Sequence, residues 1–201
     1  MVGTKPSVIH DTILNLTGSK HRSAHLNLRI PGPIPVPEEI LDLMSSPMIN
    51  HRGPEFADIL YRITNSLKLV FDTEHDVYVL TASGTGAMEA AIVNTLSPGD
   101  DVLNMSIGFF GDRFGDIANM YGANVITQRF PWGSAVDIDV LRKSLAKETG
   151  VKAVLVTHNE TSTGVTNDLE TIAHVVKTEF GKLLLVDGIS SVCSLPIHTD
   201  K

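Results

Sequence analysis

The chain is short of several features, and each shortage removes a class of protein. It has a single cysteine, Cys193, so no intrachain disulfide framework is available, which suits a reducing compartment, cytoplasmic or organellar. Cys193 sits in an apolar stretch, which predicts inert packing in the core. Positive charge is also scarce: 16 Lys and Arg against 23 Asp and Glu leave a net charge of -7. That balance argues against a general nucleic-acid groove or an anionic membrane surface as partner. No apolar run approaches the roughly 20 residues of a membrane span. The N-terminus lacks a basic region followed by an apolar block, so no secretory signal is expected. The GxGxxG series of dinucleotide folds is missing, with Ser83 displacing its first glycine. There is no Walker-type GKS or GKT and no GxSxG elbow. His158 and Glu160 lack the further spaced ligands that zinc would need, so no metal site is predicted.

What is present is a globular balance, with 42% hydrophobic and 19% charged residues among 201, enough for one domain with a sizeable core. The organising stretch is 77–96, VYVLTASGTGAMEAAIVNTL. Val77 to Leu80 read as an interior strand, TASGTG as a small-residue turn, and Met88, Ala91, Ile92, Thr95 and Leu96 as one helical face. Backbone N–H groups point outward unpaired at such a helix start, which suits an anion. Before it, residues 1–30 read as an N-terminal arm and the proline-rich Ile30 to Pro37 as extended chain. A short helix follows over 38–44, then a longer one along Phe56, Ile59, Leu60, Ile63, Leu67 and Val70.

After Leu96 the pattern is strand, loop, helix, repeated. Strands are expected over 101–105, 124–128, 151–156 and 183–186, with helices after the first three. Short, uninterrupted apolar strands fit a parallel sheet covered on both faces. Right-handed crossovers would gather Thr81 to Gly86, Ser106 to Phe110, Thr157 to Gly164 and Asp187 to Ser190 on one edge, where open α/β sheets bind ligands. Asp187 ends the run LLLVD, and a buried carboxylate there needs a partner. It reads either as a turn or cap residue for GISS or as a carboxylate aimed at a cofactor cation. The polar loop 157–164 reads either as solvated surface or as a source of ligand-binding hydroxyls.

Six motifs then occur in a telling order: PGP at 31–33, SGTGAMEAA at 83–91, SPGD at 97–100, GFFGDR at 108–113, THNETSTGV at 157–165 and LLLVDGISS at 183–191. Together they resemble the class V aminotransferases, in particular the serine–pyruvate, alanine–glyoxylate and serine–glyoxylate group. The resemblance implies the large domain of the fold-type I, three-layer α/β/α scaffold over 31–201, with a mostly parallel sheet incomplete at its C-terminal side. It also implies pyridoxal 5′-phosphate as cofactor, a homodimer, and amino-group transfer from serine or alanine to a 2-oxo acid such as glyoxylate or pyruvate.

By the same resemblance, Thr85, Gly86 and Ala87 form the phosphate cup and Phe110 stacks on the pyridine ring. Thr161 bonds the ring's phenolic oxygen, Asp187 pairs with the pyridine nitrogen, and Ile189 supports the other ring face. Gly32 approaches the substrate, and His51 and Arg52 lie near the active-site mouth. The family's Schiff-base lysine sits in an S-x-Q-K context downstream of the aspartate. Lys201 lacks that context and reads as a surface lysine. The chain is therefore expected to be the N-terminal portion of such an enzyme, without turnover by itself. Two other readings stay open: a carbon–sulfur lyase or cysteine desulfurase of the same fold, and a non-catalytic interaction domain derived from it.

Overall fold

A computed structural model describes residues 29–200. Most of the arm expected over 1–30, and Lys201, lie outside the described residues. The chain divides into two compact units, Met1–Met48 and Ile49–Lys201. In the first, α1 (Glu38–Met44) begins after Pro37 with Glu38 and Glu39 in its first turn, where acidic side chains favour the helix dipole. Gly32 belongs to this unit.

The second unit opens with α2 (Pro54–Phe71), started by a proline at its first position and stopped by Asp72 in the left-handed conformation. Its apolar stripe is the predicted one, yet no residue of the helix is buried. The chain then passes through Val77 to Leu80, which form no strand. Tyr78 is 80% exposed, and Val79 and Leu80 are exposed with it. The expected interior strand is therefore corrected: β-propensity needs a neighbouring ladder to hydrogen-bond, and no described strand pairs with this segment.

From α3 (Gly84–Thr95) onward the alternation holds. β1 (Asp101–Ser106), α4 (Phe109–Met120), β2 (Asn124–Arg129), α5 (Ile138–Lys147) and β3 (Ala153–Thr157) follow in order. A two-residue hairpin, β4 (Asn159–Glu160) against β5 (Val165–Thr166), interrupts the loop that was expected to be irregular. Next comes α6 (Leu169–Ala173), which loosens into a π-helical turn over His174–Glu179, and then β6 (Leu183–Asp187). Gly122, at φ 88°, ends α4 in a conformation that favours glycine.

The sheet is parallel, in the order β2-β1-β3-β6. Strand side chains alternate between faces, and the core divides accordingly. Leu103, Met105, Val154 and Val156 pack with Leu141, Leu145, Ile172 and Val176 on the α5/α6 side. Val102 and Leu155 pack with Met88, Ile92, Phe114 and Ile117 on the α3/α4 side. Asn104 also faces α4, where its Nδ2 donates to the Gly111 carbonyl at 3.0 Å. A Cβ at Gly115 would strike Asn104, so glycine lets that helix lie close to the sheet. This is the three-layer arrangement expected from the alternation.

The order matters for function. The chain leaves β1 in one direction to form β2, then returns past β1 to form β3 and β6. The reversal falls between β1 and β3, and the crevice outside their carboxyl ends is where such sheets bind ligands.

Candidate functional site

Thr157 and Asp187 are partners in the β3–β6 register. Both share the parity of Leu155 and Leu185, so both project toward the α3/α4 side. Asp187 is 8% exposed. Its Oδ1 accepts from the Ile189 N–H at 3.0 Å, which is the turn role read from GISS. Its Oδ2 is buried and has no hydrogen-bond partner, and neither has Thr157 Oγ1. The two readings of Asp187 therefore apply to different oxygens. Burial holds its carboxyl above the usual range; the Ile189 N–H opposes this and the Glu160 charge adds to it.

His158, 5% exposed, follows on the opposite face. Its N–H donates to the Asp187 carbonyl at 2.8 Å and its carbonyl accepts from Asn167. Its ring Nδ1 is buried without a partner, and burial lowers its pKa.

Beside β6, α3 begins. Ser83 caps it, its Oγ accepting from the Gly86 N–H at 3.3 Å, while the Ala87 N–H bonds the Ser83 carbonyl. Of the three predicted cup residues, Thr85 thus presents the most open donor set. The N–H groups of Gly84 and Thr85 precede the first intrahelical bond, and Thr85 adds a hydroxyl. The side chain of Ile189 reaches this helix start, since a Cβ at Gly84 would lie 2.5 Å from Ile189 Cδ1. Ile189 itself is 63% exposed.

The second helix end at this edge, that of α4, is closed by the protein itself. Glu160 is fully buried. Its Oε2 accepts from the N–H groups of Gly111 at 3.0 Å and Phe110 at 3.1 Å. Its Oε1 accepts from the Ser162 N–H at 3.1 Å and hydroxyl at 2.7 Å, and Ser162 Oγ accepts from the Phe109 N–H at 3.1 Å. A carboxylate at a helix N-terminus is favoured by both dipole and donors. The clip ties the segment carrying Thr161 to the first turn carrying Phe110. Gly108 makes room for it, because a Cβ there would lie 2.6 Å from both Glu160 Cγ and Ser162 Oγ. Phe110 is partly buried and meets Phe109 edge-on at 5.3 Å.

Sequence reasoning weighed Glu160 only as a metal ligand and left Ser162, Ser83 and Arg113 without roles. Ser83 carried a signal, a small hydroxyl residue directly before a helix. The Glu160 clip carried none, since its partners on α4, Gly111 and Phe110, lie 49 and 50 residues away. Among the described residues no three or more His, Cys, Asp or Glu gather as a metal site. Cys193 is exposed and sits at φ 66°, contrary to the expectation of core packing. It lies just past β6 in a run of turns that leave the sheet.

A cavity of about 1350 Å³ runs along β6, with Gly84, Ala87, His158, Asp187 and Ile189 in its wall. Thr85, Gly86, Phe110 and Thr161 are not in its wall. It exceeds the roughly 300–1,000 Å³ of a fitted ligand pocket and is a groove beside the sheet edge. The site is better defined by the orphaned oxygen of Asp187 and the open start of α3 than by that volume. His51 and Arg52 lie in the exposed loop before α2, where the Arg52 N–H donates to Asn50 Oδ1.

A parallel sheet that sets a buried strand-end carboxylate beside an open helix start defines an α/β protein with a negative group and an anion-favouring helix end on one edge. The aminotransferase class-V family model matches residues 39–201, and the chain belongs to that family. It is 42% identical to the soluble hydrogenase 42 kDa subunit of Anabaena cylindrica, over 87% of this chain and 46% of that one. It is 38% identical to the L-aspartate–glyoxylate aminotransferase of Paracoccus denitrificans, over 86% of this chain and 44% of the relative. Among solved structures, the alanine–glyoxylate aminotransferase of a Nostoc species matches with a TM-score of 0.80 at 38% identity, over 85% of this chain and 45% of that one. The chain thus spans less than half the length of these relatives.

Proposed function

We propose that this chain forms the cofactor-binding part of a pyridoxal 5′-phosphate-dependent aminotransferase. The enzyme would move an amino group from a small amino acid, serine or alanine, to a 2-oxo acid such as glyoxylate or pyruvate. It would act in the cytoplasm as a homodimer, with Gly32 near the substrate. One observation carries the reading: Asp187 Oδ2, buried and without a partner, lies on the sheet edge that also holds the open start of α3.

The residues fit that cofactor. Asp187 would hold a proton at the ring nitrogen, because a cation beside a buried carboxylate relieves its desolvation and draws its pKa back down. Thr85, with Gly86 and Ala87, would receive the phosphate at the positive end of α3. Phe110 would lie against one ring face and Ile189 against the other, and Thr161 would bond the phenolic oxygen. When bound, the cofactor supplies an electron sink for charge developing at the substrate carbon. Phe110 offers contact area without an indole N–H, so its contribution is apolar. The Paracoccus and Nostoc relatives both carry glyoxylate in their names, which favours glyoxylate as acceptor over any particular donor.

Titration of the chain with pyridoxamine 5′-phosphate tests the reading, since this amine form cannot attach covalently to surface lysines. Saturable binding that Asp187→Ala weakens is expected; no binding to the native chain would overturn it. Turnover of serine or alanine with glyoxylate by this chain alone would overturn the view that the reaction needs the further length its relatives possess.

A further inference from the structure

Arg113 projects from α4 toward the start of α3, where its Nη1 donates to Thr85 Oγ1 at 3.2 Å. Its guanidinium carbon lies 5.3 Å from the Phe109 ring centroid and 5.9 Å from that of Phe110. The nearby Arg129 is paired with Asp112. Arg113 forms no ion pair among the described residues, in a chain whose net charge is -7. The N-terminus of α4 is already filled by Glu160, so of these two helix starts the one of α3 is open to an anion. The uncompensated guanidinium stands beside that start.

The direction of the Arg113–Thr85 bond has a chemical consequence. Guanidinium nitrogens only donate, so Thr85 Oγ1 must accept. Its own hydroxyl proton is then directed elsewhere and can be given to an incoming oxygen. We propose that Arg113 is a specificity residue for the phosphate of the ligand, resting on the cofactor reading above. It adds positive charge at the open helix start, turns the Thr85 hydroxyl into a donor, and holds Phe110 by its cation–π contact. Lysine would keep the charge but not the flat guanidinium face or its fork of donors.

The test compares pyridoxamine 5′-phosphate with pyridoxamine, which differs only by lacking the phosphate. Dissociation constants are measured for the native chain, Arg113→Met, Arg113→Lys and Thr85→Val, each checked for native-like melting. Loss of a charge-assisted contact predicts roughly ten- to hundredfold weaker binding of the phosphorylated ligand by Arg113→Met. Pyridoxamine should weaken by less than about threefold, because the cation–π contact that is lost is modest. Arg113→Lys should recover part of the difference, and Thr85→Val should lose part of it. An equal loss for both ligands would show Arg113 to be merely structural, and no loss for either would remove it from the site; both overturn this proposal and leave the cofactor reading standing. If the native chain binds neither ligand, both readings fall together.

Discussion

Asp187 stands directly opposite Thr157 in the parallel register of β3 and β6, and the buried Oδ2 of the one and Oγ1 of the other both lack a partner. Their shared face is that of α3 and α4, next to the gap between β1 and β3 where the winding reverses. The arrangement costs the ligand-free fold stability and offers a cation a ready counter-ion. Most of the predictions below follow from how the polar groups at this edge are, or are not, satisfied.

The first concerns pH. Because the folded pKa of Asp187 is raised, chiefly by burial, its contribution to stability is present at low pH. That contribution is lost as pH rises through the folded pKa. Asp187→Asn removes this loss, since a neutral amide is less costly to bury than a carboxylate. The ligand-free variant should melt above the native chain at pH 7.5, by about 2–4 °C per kcal/mol recovered. The gap should shrink toward pH 4. A variant that melts lower at both pH values would contradict the burial argument.

His158 has the opposite sign. Burial depresses its folded pKa, so the native state resists protonation and loses stability as pH falls below the unfolded value of about 6.5. Melting curves of native and His158→Leu chains should therefore diverge as the pH drops through that window. If the two profiles run parallel between pH 8 and 5, the imidazole is not carrying this dependence.

Glu160 satisfies the N–H groups of Phe110, Gly111 and Ser162 at once. Glu160→Ala strands these donors and should cost about 3 kcal/mol or more, at the usual penalty for buried unsatisfied groups. Glu160→Gln keeps one oxygen and should cost less. Chemical denaturation of the three proteins gives the order directly, and an alanine variant within about 0.5 kcal/mol of native would refute the clip.

Two glycines at the site should behave differently. Gly108→Ala places its Cβ against Glu160 and Ser162, groups already locked by hydrogen bonds, and should cost about 1–3 kcal/mol. Gly84→Ala meets only the end of the exposed Ile189 side chain, which can swing away. Its stability should stay within about 0.5 kcal/mol of native. Equal losses at the two positions would contradict this distinction.

Cys193 should react fully with a thiol reagent in native buffer, because it is exposed. A requirement for denaturant would restore the buried placement that its apolar neighbours suggested.

Local periodicity carried much of the fold. Met88 and Ile92 are buried as the helical spacing implied, and the runs around Val102, Val154 and Leu184 became neighbouring strands. The same reasoning failed at Val77–Leu80, because a strand is completed by a partner that local sequence does not name. It failed at Cys193 because turn geometry after β6, and not residue type, decides exposure there. Asp187, placed by its position after four apolar residues, is the site residue most legible beforehand.

The sequence by itself determined the alternation of strand and helix, the edge on which the polar loops collect, and the carboxylate at the end of LLLVD. These depend on spacing and on apolar runs, which are local. Tertiary structure decided which helix start is open and which is filled. Glu160 reaches α4, and Arg113 turns to Thr85 across 28 residues. Such pairings arise only when the sheet order brings distant segments together, and no periodicity in the chain encodes them.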